Sequence, residues 1–240
     1  MRYKIFIDGQ EGTTGLKIHK RLRDRNDLEI LTISDDERKN LKARLEMINN
    51  SDITFLCLPD EASREIAENA GKDRRLIDAS TYHRTNKEWT YGFPELNVTQ
   101  RSKITESNRV AVPGCHATGF ISLVTPLISL GIVQKDYPFT CHSITGYSGG
   151  GKSMISQYES DSRAQDIDSP RQYGLSMNHK HLPEMKFITG VEYAPVFHPI
   201  VSDYYSGMLF TTTLHGRILN KKVNPEEIRQ VYSKYYEEQP

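Results

Sequence analysis

Short apolar runs alternate with helix-like segments through the first third of the chain. Tyr3–Asp8 is β-rich and ends at a glycine, and the segment after Gly15 places apolar side chains at helical spacing. Further strands are predicted at residues 28–34, 52–58, 75–79 and 109–112, and helical segments within 35–45 and 61–70. Strands that are apolar throughout and alternate with helices predict a doubly wound α/β fold with a parallel sheet.

The second half of the chain has a different pattern. Its predicted elements are a helix at 116–130 and strands at 139–144, 191–197 and 207–215. The long strands at 191–197 and 207–215 indicate an antiparallel sheet. A last helix is predicted after Asn224, which serves as its cap, with Pro225 in its first turn. We therefore predict an α/β domain at 1–114 and an α+β domain at 115–240.

The composition argues against binding through overall charge and directs attention to a local binding site. The 31 basic and 31 acidic side chains cancel, so no overall field favours a nucleic acid or an anionic membrane. The start of the chain lacks the pattern of a secretory signal, and no stretch reaches the roughly 18 apolar residues of a membrane span. Three cysteines without a CxxC pair fit a reducing compartment. These features predict a cytoplasmic protein with a small-molecule partner.

A glycine cluster follows the first strand and precedes the first helix. Its members are Gly9, Gly12, Thr13, Thr14 and Gly15, in a GxxGxxG pattern. Small residues at this place allow a sharp turn and let a pyrophosphate approach the N–H groups of a helix start. The position favours dinucleotide binding over a plain glycine turn.

The end of the second strand bears on which dinucleotide is bound. Asp35 suits the ribose hydroxyls of NAD, whereas Ser34 with Arg38 or Lys39 could hold the extra phosphate of NADP. A solvated run of charges is the alternative. Spacing alone leaves this choice open.

Cys115 is the candidate nucleophile. It lies where a strand ends and an amphipathic helix begins, and the unpaired N–H groups and dipole of a helix start favour thiolate over thiol. Cys57 and Cys141 lie inside apolar runs, where a cysteine is more often an inert buried residue.

A nucleophilic cysteine needs a proton acceptor and donor, and His179 and His181 are candidates, with Glu184 three residues further on. Two histidines spaced by one residue could also be zinc ligands on a strand face, and surface histidines without a role are a third possibility. Other histidines and Cys141 offer no diagnostic spacing for a third ligand. We predict no resident metal.

Residues 146–153 satisfy the GxxxxGK[ST] pattern of a P-loop NTPase. The chain already has another glycine loop, the following segment is a poor apolar helix, and no later apolar run ends in a Walker-B-like aspartate. We therefore favour binding of a substrate phosphoryl group by Ser148, Gly149 and Lys152 over binding of ATP.

Together these segments resemble N-acetyl-gamma-glutamyl-phosphate reductase, in its shorter, type 2 variety. The resemblance covers essentially the whole chain and rests on the glycine cluster, CLPD at 57–60, IDAS at 77–80, YGFPEL at 91–96, PGCHATG at 113–119, GYSG at 146–149 and HxHxxE at 179–184.

The resemblance implies an NADP(H)-dependent enzyme of arginine biosynthesis with a Rossmann domain and an α+β catalytic and oligomerisation domain, as a homodimer or homotetramer. Cys115 is then the nucleophile that forms a thioester from an acyl phosphate, and His179 or His181 the acid/base. The additional cofactor residues that it implies are Cys57, Leu58, Pro59 and Ser80.

Family members continue beyond the position of Pro240 with a strand and a helix that help hold the nicotinamide. The sequence is therefore expected to be a truncated form or to have an incomplete cofactor site. Rival hypotheses are a semialdehyde dehydrogenase for aspartyl phosphate or for a carrier-bound amino acid, a P-loop ATP-binding protein, and a non-catalytic binding module.

Overall fold

The structure, a computed structural model, describes residues 2–10 and 12–239. Glu11 of the glycine cluster and the end residues Met1 and Pro240 of the two predicted domains lie outside the described residues. The chain divides into two compact units. The first reaches Pro94 and includes Thr99–Pro113, and the second comprises Glu95–Val98 and the residues from Gly114 onward.

The first unit is built on a parallel six-stranded sheet with the strand order β2-β1-β3-β4-β6-β5. Its strands are β1 Tyr3–Asp8, β2 Leu28–Leu31, β3 Ile53–Leu56, β4 Leu76–Asp78, β5 Thr90–Tyr91 and β6 Arg109–Ala111. Its helices are α1 Thr13–Leu22, α2 Leu41–Asn49, α3 Asp60–Asn69 and α4 Gln100–Glu106. The predicted parallel α/β fold is thus confirmed.

The apolar runs of the first unit form strands because their side chains are buried. Phe6, Leu56 and Leu76 lie in one core cluster with Ile48 and Ile66 from two of the helices. The second strand ends at Leu31, three residues before the predicted end. The residues beyond Ile33 are polar and exposed and form turns, in which Ser34 O accepts the N–H groups of residues 37 and 38.

The second unit contains a four-stranded sheet with the order β10-β7-β9-β8. Its strands are β7 Thr140–Gly146, β8 Arg171–Gln172, β9 Val196–Ser202 and β10 Met208–Thr212. Its helices are α5 Cys115–Ser129, α6 Gly151–Tyr158, α7 Leu182–Thr189 and α8 Pro225–Tyr236. Within the described residues, no helix is long and apolar enough to cross a membrane.

The prediction of an antiparallel sheet in the second unit is wrong. The sheet is mixed, since β7 and β9 run parallel while β10 and β8 pair antiparallel with them. The strand predicted at 191–197 begins only at Val196 and runs on to Ser202, through Pro199. A proline usually argues against an inner strand because it has no N–H. Here its carbonyl accepts the N–H of Tyr173.

Helix α5 connects the core of the second unit to the predicted nucleophile. Ala117, Phe120, Ile121, Val124 and Leu127 recur at helical spacing and are fully buried, so one face of the helix is fixed in the core. Burial of these side chains sets the position of the first turn of α5, where Cys115 lies.

Candidate active site

Cys115 is the first residue of α5 and is exposed. Gly114 is the helix cap, and its N–H donates to Oε1 of Glu184 at 2.7 Å. Glu184 is fully buried on α7, so its carboxylate ties the start of α5 to a second helix. The sequence prediction grouped Glu184 with the catalytic residues; its contact is with the backbone next to the nucleophile.

The other two cysteines lie in different surroundings. Cys57 is half-buried after β3, and burial, with the charges of Asp8 and Asp78, raises the pKa of its thiol to about 12. Cys141 is buried in β7, and burial raises its pKa to about 12. Both thiols therefore stay protonated near neutral pH. Of the three cysteines, Cys115 is the one whose side chain is exposed.

His116, next to the nucleophile, is buried and forms two side-chain hydrogen bonds. Its Nδ1 lies 3.0 Å from Ser143 Oγ on β7, and its Nε2 lies 2.7 Å from the hydroxyl of Tyr173. Burial lowers the pKa of His116 to about 4, and the charges of His179 and Lys180 act in the same direction. The imidazole is therefore neutral near pH 7.

Tyr173 completes this arrangement. Burial raises the pKa of its hydroxyl to about 12, and the charge of Cys115 contributes to the rise. A neutral phenol can donate its proton to the free ring nitrogen of His116. Ser143, His116 and Tyr173 thus form a neutral hydrogen-bonded chain beside the first turn of α5.

The two candidate acid/base histidines differ in position. His181 is buried and caps α7, and one of its ring nitrogens lies within 4.8 Å of Cys115 Sγ and of a nitrogen of His116. His179 precedes α7 and is half-buried; its Nδ1 accepts the N–H of His181 at 3.2 Å. Burial, with Lys180, lowers the pKa of His179. Neither His179 nor His181 lies on a strand, so the two do not form the pair of zinc ligands on one strand face that their spacing could indicate.

The first glycine cluster forms the turn between β1 and α1. Gly9 has a φ of +85°, and a Cβ there would lie 2.4 Å from the carbonyl oxygen of Cys57. A Cβ on Gly15 would lie 2.4 Å from the carbonyl oxygen of Gly9. The turn therefore requires glycine at both positions. It also packs against the segment after β3, so the Gly9 and Cys57–Leu58–Pro59 parts of the predicted cofactor site are adjacent.

The remaining cofactor candidates lie in contrasting environments. Thr13 and Thr14 form the start of α1, where helix geometry leaves N–H groups without intrahelical acceptors. Ser34 and Arg38 lie in an exposed turn, and Arg38 Nη1 is 3.7 Å from Asp35 Oδ1. Asp35, the candidate for the ribose hydroxyls of NAD, and Arg38, the candidate for the extra phosphate of NADP, therefore lie in the same turn.

Ser80 lies in a buried network that the sequence did not reveal. Asp78, at the end of β4, accepts hydrogen bonds from Ser63 Oγ at 2.7 Å, Ser80 Oγ at 2.6 Å and His83 Nδ1 at 2.6 Å. Burial raises the pKa of Asp78, but these hydrogen bonds outweigh burial and leave it below its usual value. The Ser80 hydroxyl already donates to Asp78, which fixes the loop after β4.

The second glycine turn uses two of its first backbone N–H groups within the protein. After β7 the N–H of Tyr147 donates to Tyr204 O at 3.0 Å and that of Ser148 to Tyr205 O at 2.9 Å. A P-loop uses such N–H groups to cradle phosphates. Because the N–H of Ser148 is already used in this way, its hydroxyl is the group that can donate to a phosphoryl oxygen. Lys152 is exposed and makes no ion pair within residues 2–10 and 12–239.

One apolar strand is directly followed by an aspartate, contrary to the expectation from the sequence. Asp203 directly follows β9, the parallel neighbour of β7. Its two carboxylate oxygens accept from the guanidinium of Arg163 at 3.1 and 2.8 Å. The carboxylate of Asp203 is therefore already paired with a guanidinium.

Comparison with known proteins shows the family of the chain. Residues 4–105 match the semialdehyde dehydrogenase NAD binding domain, and residues 115–240 match the semialdehyde dehydrogenase dimerisation domain. The N-acetyl-gamma-glutamyl-phosphate reductase of Sinorhizobium medicae (strain WSM419) is 45% identical over 98% of this chain and 77% of its own length. The chain belongs to the N-acetyl-gamma-glutamyl-phosphate reductase family.

Other members of this family are similarly close. The protein named N-acetyl-gamma-glutamyl-phosphate reductase 2 of Nostoc sp. (strain PCC 7120) is 42% identical over 98% of this chain and 74% of its own length. Among solved structures, aspartate semialdehyde dehydrogenase from Francisella tularensis has a TM-score of 0.68 at 14% identity, over 97% of this chain and 80% of that one. The fold of the family is therefore shared with enzymes of distant sequence.

Sequence reasoning missed three residues of the site. His116 follows Cys115 directly and lies within the PGCHATG segment, and this position could have indicated a role beside the nucleophile. Ser143 and Tyr173 carry no local signal, because they reach His116 from 27 and 57 residues away. Only the packing of α5 against β7 and the segment after β8 brings them together.

Burial of neutral His116 predicts acid-dependent loss of stability. Its pKa falls from an ordinary value near 6.5 to about 4 on folding, so the unfolded chain binds the proton more readily below pH 6.5. This stability is complete above pH 6.5 and is lost as the pH falls to 4. A shift of this size corresponds to up to about 3 kcal/mol.

Urea unfolding at pH 7 and pH 4 tests this. The His116→Gln variant should lose less unfolding free energy between the two pH values than the unchanged chain, by up to about 3 kcal/mol. His179 contributes in the same direction and stays in both proteins. A His142→Gln control, at an exposed histidine, should keep the original difference. Equal losses in all three proteins would contradict a buried neutral His116.

Proposed function

We propose that this chain reduces N-acetyl-gamma-glutamyl phosphate to N-acetylglutamate 5-semialdehyde and phosphate with NADPH, a step of arginine biosynthesis. The observation that carries the proposal is the position of Cys115, exposed at the start of α5 with a nitrogen of His181 within 4.8 Å of its sulfur. The names of relatives at 42–45% identity identify the substrate.

The first half of the reaction is acyl transfer to sulfur. His181 takes the proton of the Cys115 thiol, and the thiolate attacks the acyl carbon of the substrate. The carbon–oxygen bond to phosphate breaks, inorganic phosphate leaves with the proton from His181, and a thioester remains on Cys115. N–H groups in the first turn of α5 stabilise the oxyanion.

The residues of the β1–α1 turn fit a dinucleotide. Side chains are excluded at Gly9 and Gly15, and the start of α1 at Thr13 presents N–H groups to a pyrophosphate. When bound, the nicotinamide supplies a hydride. Once the thioester carbon on Cys115 is reduced, the carbon–sulfur bond would break and the aldehyde would leave. A proton from solvent, relayed by His181, restores the thiol.

Three further residues position the groups that react. Glu184 holds the N–H of Gly114 and thereby the first turn of α5. His116 is a neutral hydrogen-bonding residue between Ser143 and Tyr173, and His179 supports the backbone of His181. Their role is to fix the distance from the sulfur to the acid/base.

Preference for NADP is also part of the proposal. Arg38 lies in the same exposed turn as Ser34 and can leave Asp35 for a phosphate, because an exposed pair at 3.7 Å is weak. A ribose phosphate offers Arg38 charge-assisted, bidentate hydrogen bonds. Ser148, Gly149 and Lys152 are proposed to bind the phosphoryl group of the substrate, and the second unit to form a homodimer or homotetramer.

The reverse reaction tests the proposal. We expect phosphate-dependent reduction of NADP by N-acetylglutamate semialdehyde, with kcat/KM at least about 100-fold above that for aspartate semialdehyde. NAD in place of NADP should lower kcat/KM. Faster turnover of aspartate semialdehyde would identify the aspartyl enzyme instead. Turnover that does not depend on phosphate would reject the acyl phosphate chemistry.

A further inference from the structure

Three metal-binding side chains converge at the start of α5. A ligand atom of each of Cys115, His116 and His181 lies within 4.8 Å of the other two. One thiolate and two imidazoles are donors that favour zinc and similar borderline-soft ions over magnesium or calcium. Cys115 is exposed while the two histidines are buried, so an ion would enter from the side of the sulfur.

The spacing is close to that of a tetrahedral site. Zinc binds sulfur at about 2.3 Å and imidazole nitrogen at about 2.0–2.1 Å, which puts the ligand atoms about 3.5 Å apart. Atoms now up to 4.8 Å apart therefore need to approach by about 1 Å. Cys115 is exposed, so rotation of its side chain can shorten the distances from its sulfur to the two histidines. A fourth position would stay open to water, as in zinc sites with three protein ligands.

The hydrogen bonds of His116 bear on how tightly a metal would bind. Its ring nitrogens lie 3.0 Å from Ser143 Oγ and 2.7 Å from the Tyr173 hydroxyl, and a neutral imidazole accepts at one nitrogen through its lone pair. An ion would compete with Ser143 or Tyr173 for that lone pair, which limits the affinity. The positive charge of Lys180 disfavours a bound cation. The carboxylate of Glu184, which accepts the N–H of Gly114 next to Cys115, favours one.

We propose that Cys115, His116 and His181 bind a zinc-type divalent ion reversibly, and that the bound ion shuts off the enzyme. On binding, the thiol proton passes to solvent and a sulfur–metal bond forms, so the sulfur is no longer free to attack a substrate. The ion is an inhibitor rather than a resident cofactor. The inhibition rests on the proposed function; the binding does not.

Titration of the chelator-treated full chain with cobalt(II) tests binding without substrate. We expect one equivalent to produce a thiolate-to-cobalt absorption band that zinc abolishes by displacement. Cys115→Ser should lose the band, and His181→Gln should weaken binding at least about tenfold. Cys141→Ala and His142→Gln serve as matched controls that keep it. Thermal unfolding confirms that each variant is folded, and zinc should raise the Tm of the unchanged chain.

Activity measurements separate this proposal from the proposed function. Zinc should inhibit turnover, and EDTA should restore it. No cobalt–thiolate band, or a band that Cys115→Ser leaves unchanged, overturns the metal site whatever the activity. A chain that binds cobalt at Cys115 but turns over no semialdehyde keeps the metal site and overturns the proposed function. Full activity with zinc bound at Cys115 overturns the inhibition.

Discussion

Replacing Cys115 by serine is expected to lower kcat/KM for reduction of the acyl phosphate by at least about 1,000-fold. The exposed sulfur at the start of α5 is the proposed attacking atom, and a serine hydroxyl there is almost entirely protonated near neutral pH. The change replaces one atom on an exposed side chain, so the fold and the buried face of α5 should stay intact. Steady-state assays of the two proteins measure the effect.

A trapping experiment identifies the acylated residue. Incubation with N-acetyl-gamma-glutamyl phosphate and no NADPH should leave an acyl group on Cys115, detected by mass spectrometry of peptides, and none on the serine variant. Cys141→Ala, which alters a buried sulfur, should keep both the adduct and the activity. Full activity of Cys115→Ser, or an adduct on Cys57 or Cys141, would refute the thioester mechanism.

Replacing His181 by asparagine is expected to reduce kcat by between about 100- and 10,000-fold, the range for loss of a general acid/base. A nitrogen of His181 lies within 4.8 Å of Cys115 Sγ, and the residue is fixed at the start of α7. Asparagine preserves hydrogen bonding at similar size but cannot take up the thiol proton. The rate of phosphate release in a single turnover measures the acylation step directly.

His179→Asn is the matched control, two residues away. His179 contacts the backbone of His181 and the rings of His116 and His181, with centroids 5.4 and 4.9 Å away. Its loss should slow acylation less than tenfold, since it removes support rather than the proton acceptor. If His179→Asn costs more than His181→Asn, the acid/base assignment belongs to His179.

Most of the first unit could be predicted because its signals are local. Strand Tyr3–Asp8 has the predicted bounds, and the glycine turn after it is explained by contacts of Gly9 and Gly15 with nearby backbone. The segment after β3 was foreseen as part of the same site only through family resemblance. Its contact with Gly9 depends on the parallel pairing of β1 with β3.

The second unit was harder to predict because long-range pairing decides it. The sequence pattern led to a predicted antiparallel sheet and to a strand ending at residue 197, whereas the observed strand Val196–Ser202 continues through Pro199. Parallel pairing of this strand with β7 is a contact between residues more than 50 positions apart. In this unit, where strands do not alternate regularly with helices, the hydrophobic pattern does not indicate which strands pair or in which direction.

By itself, the sequence determined the parallel α/β fold, the glycine turn of the first unit, and Cys115 as a sulfur at a helix start, because each can be inferred from the order and pattern of local segments. Tertiary structure alone decided which of the two candidate histidines approaches the sulfur, that Glu184 holds Gly114 from 70 residues away, and that His116 is buried and hydrogen-bonded to Ser143 and Tyr173. Proton transfer and ligand geometry depend on distances of a few ångströms, and these are set only when α5, α7 and β7 pack together.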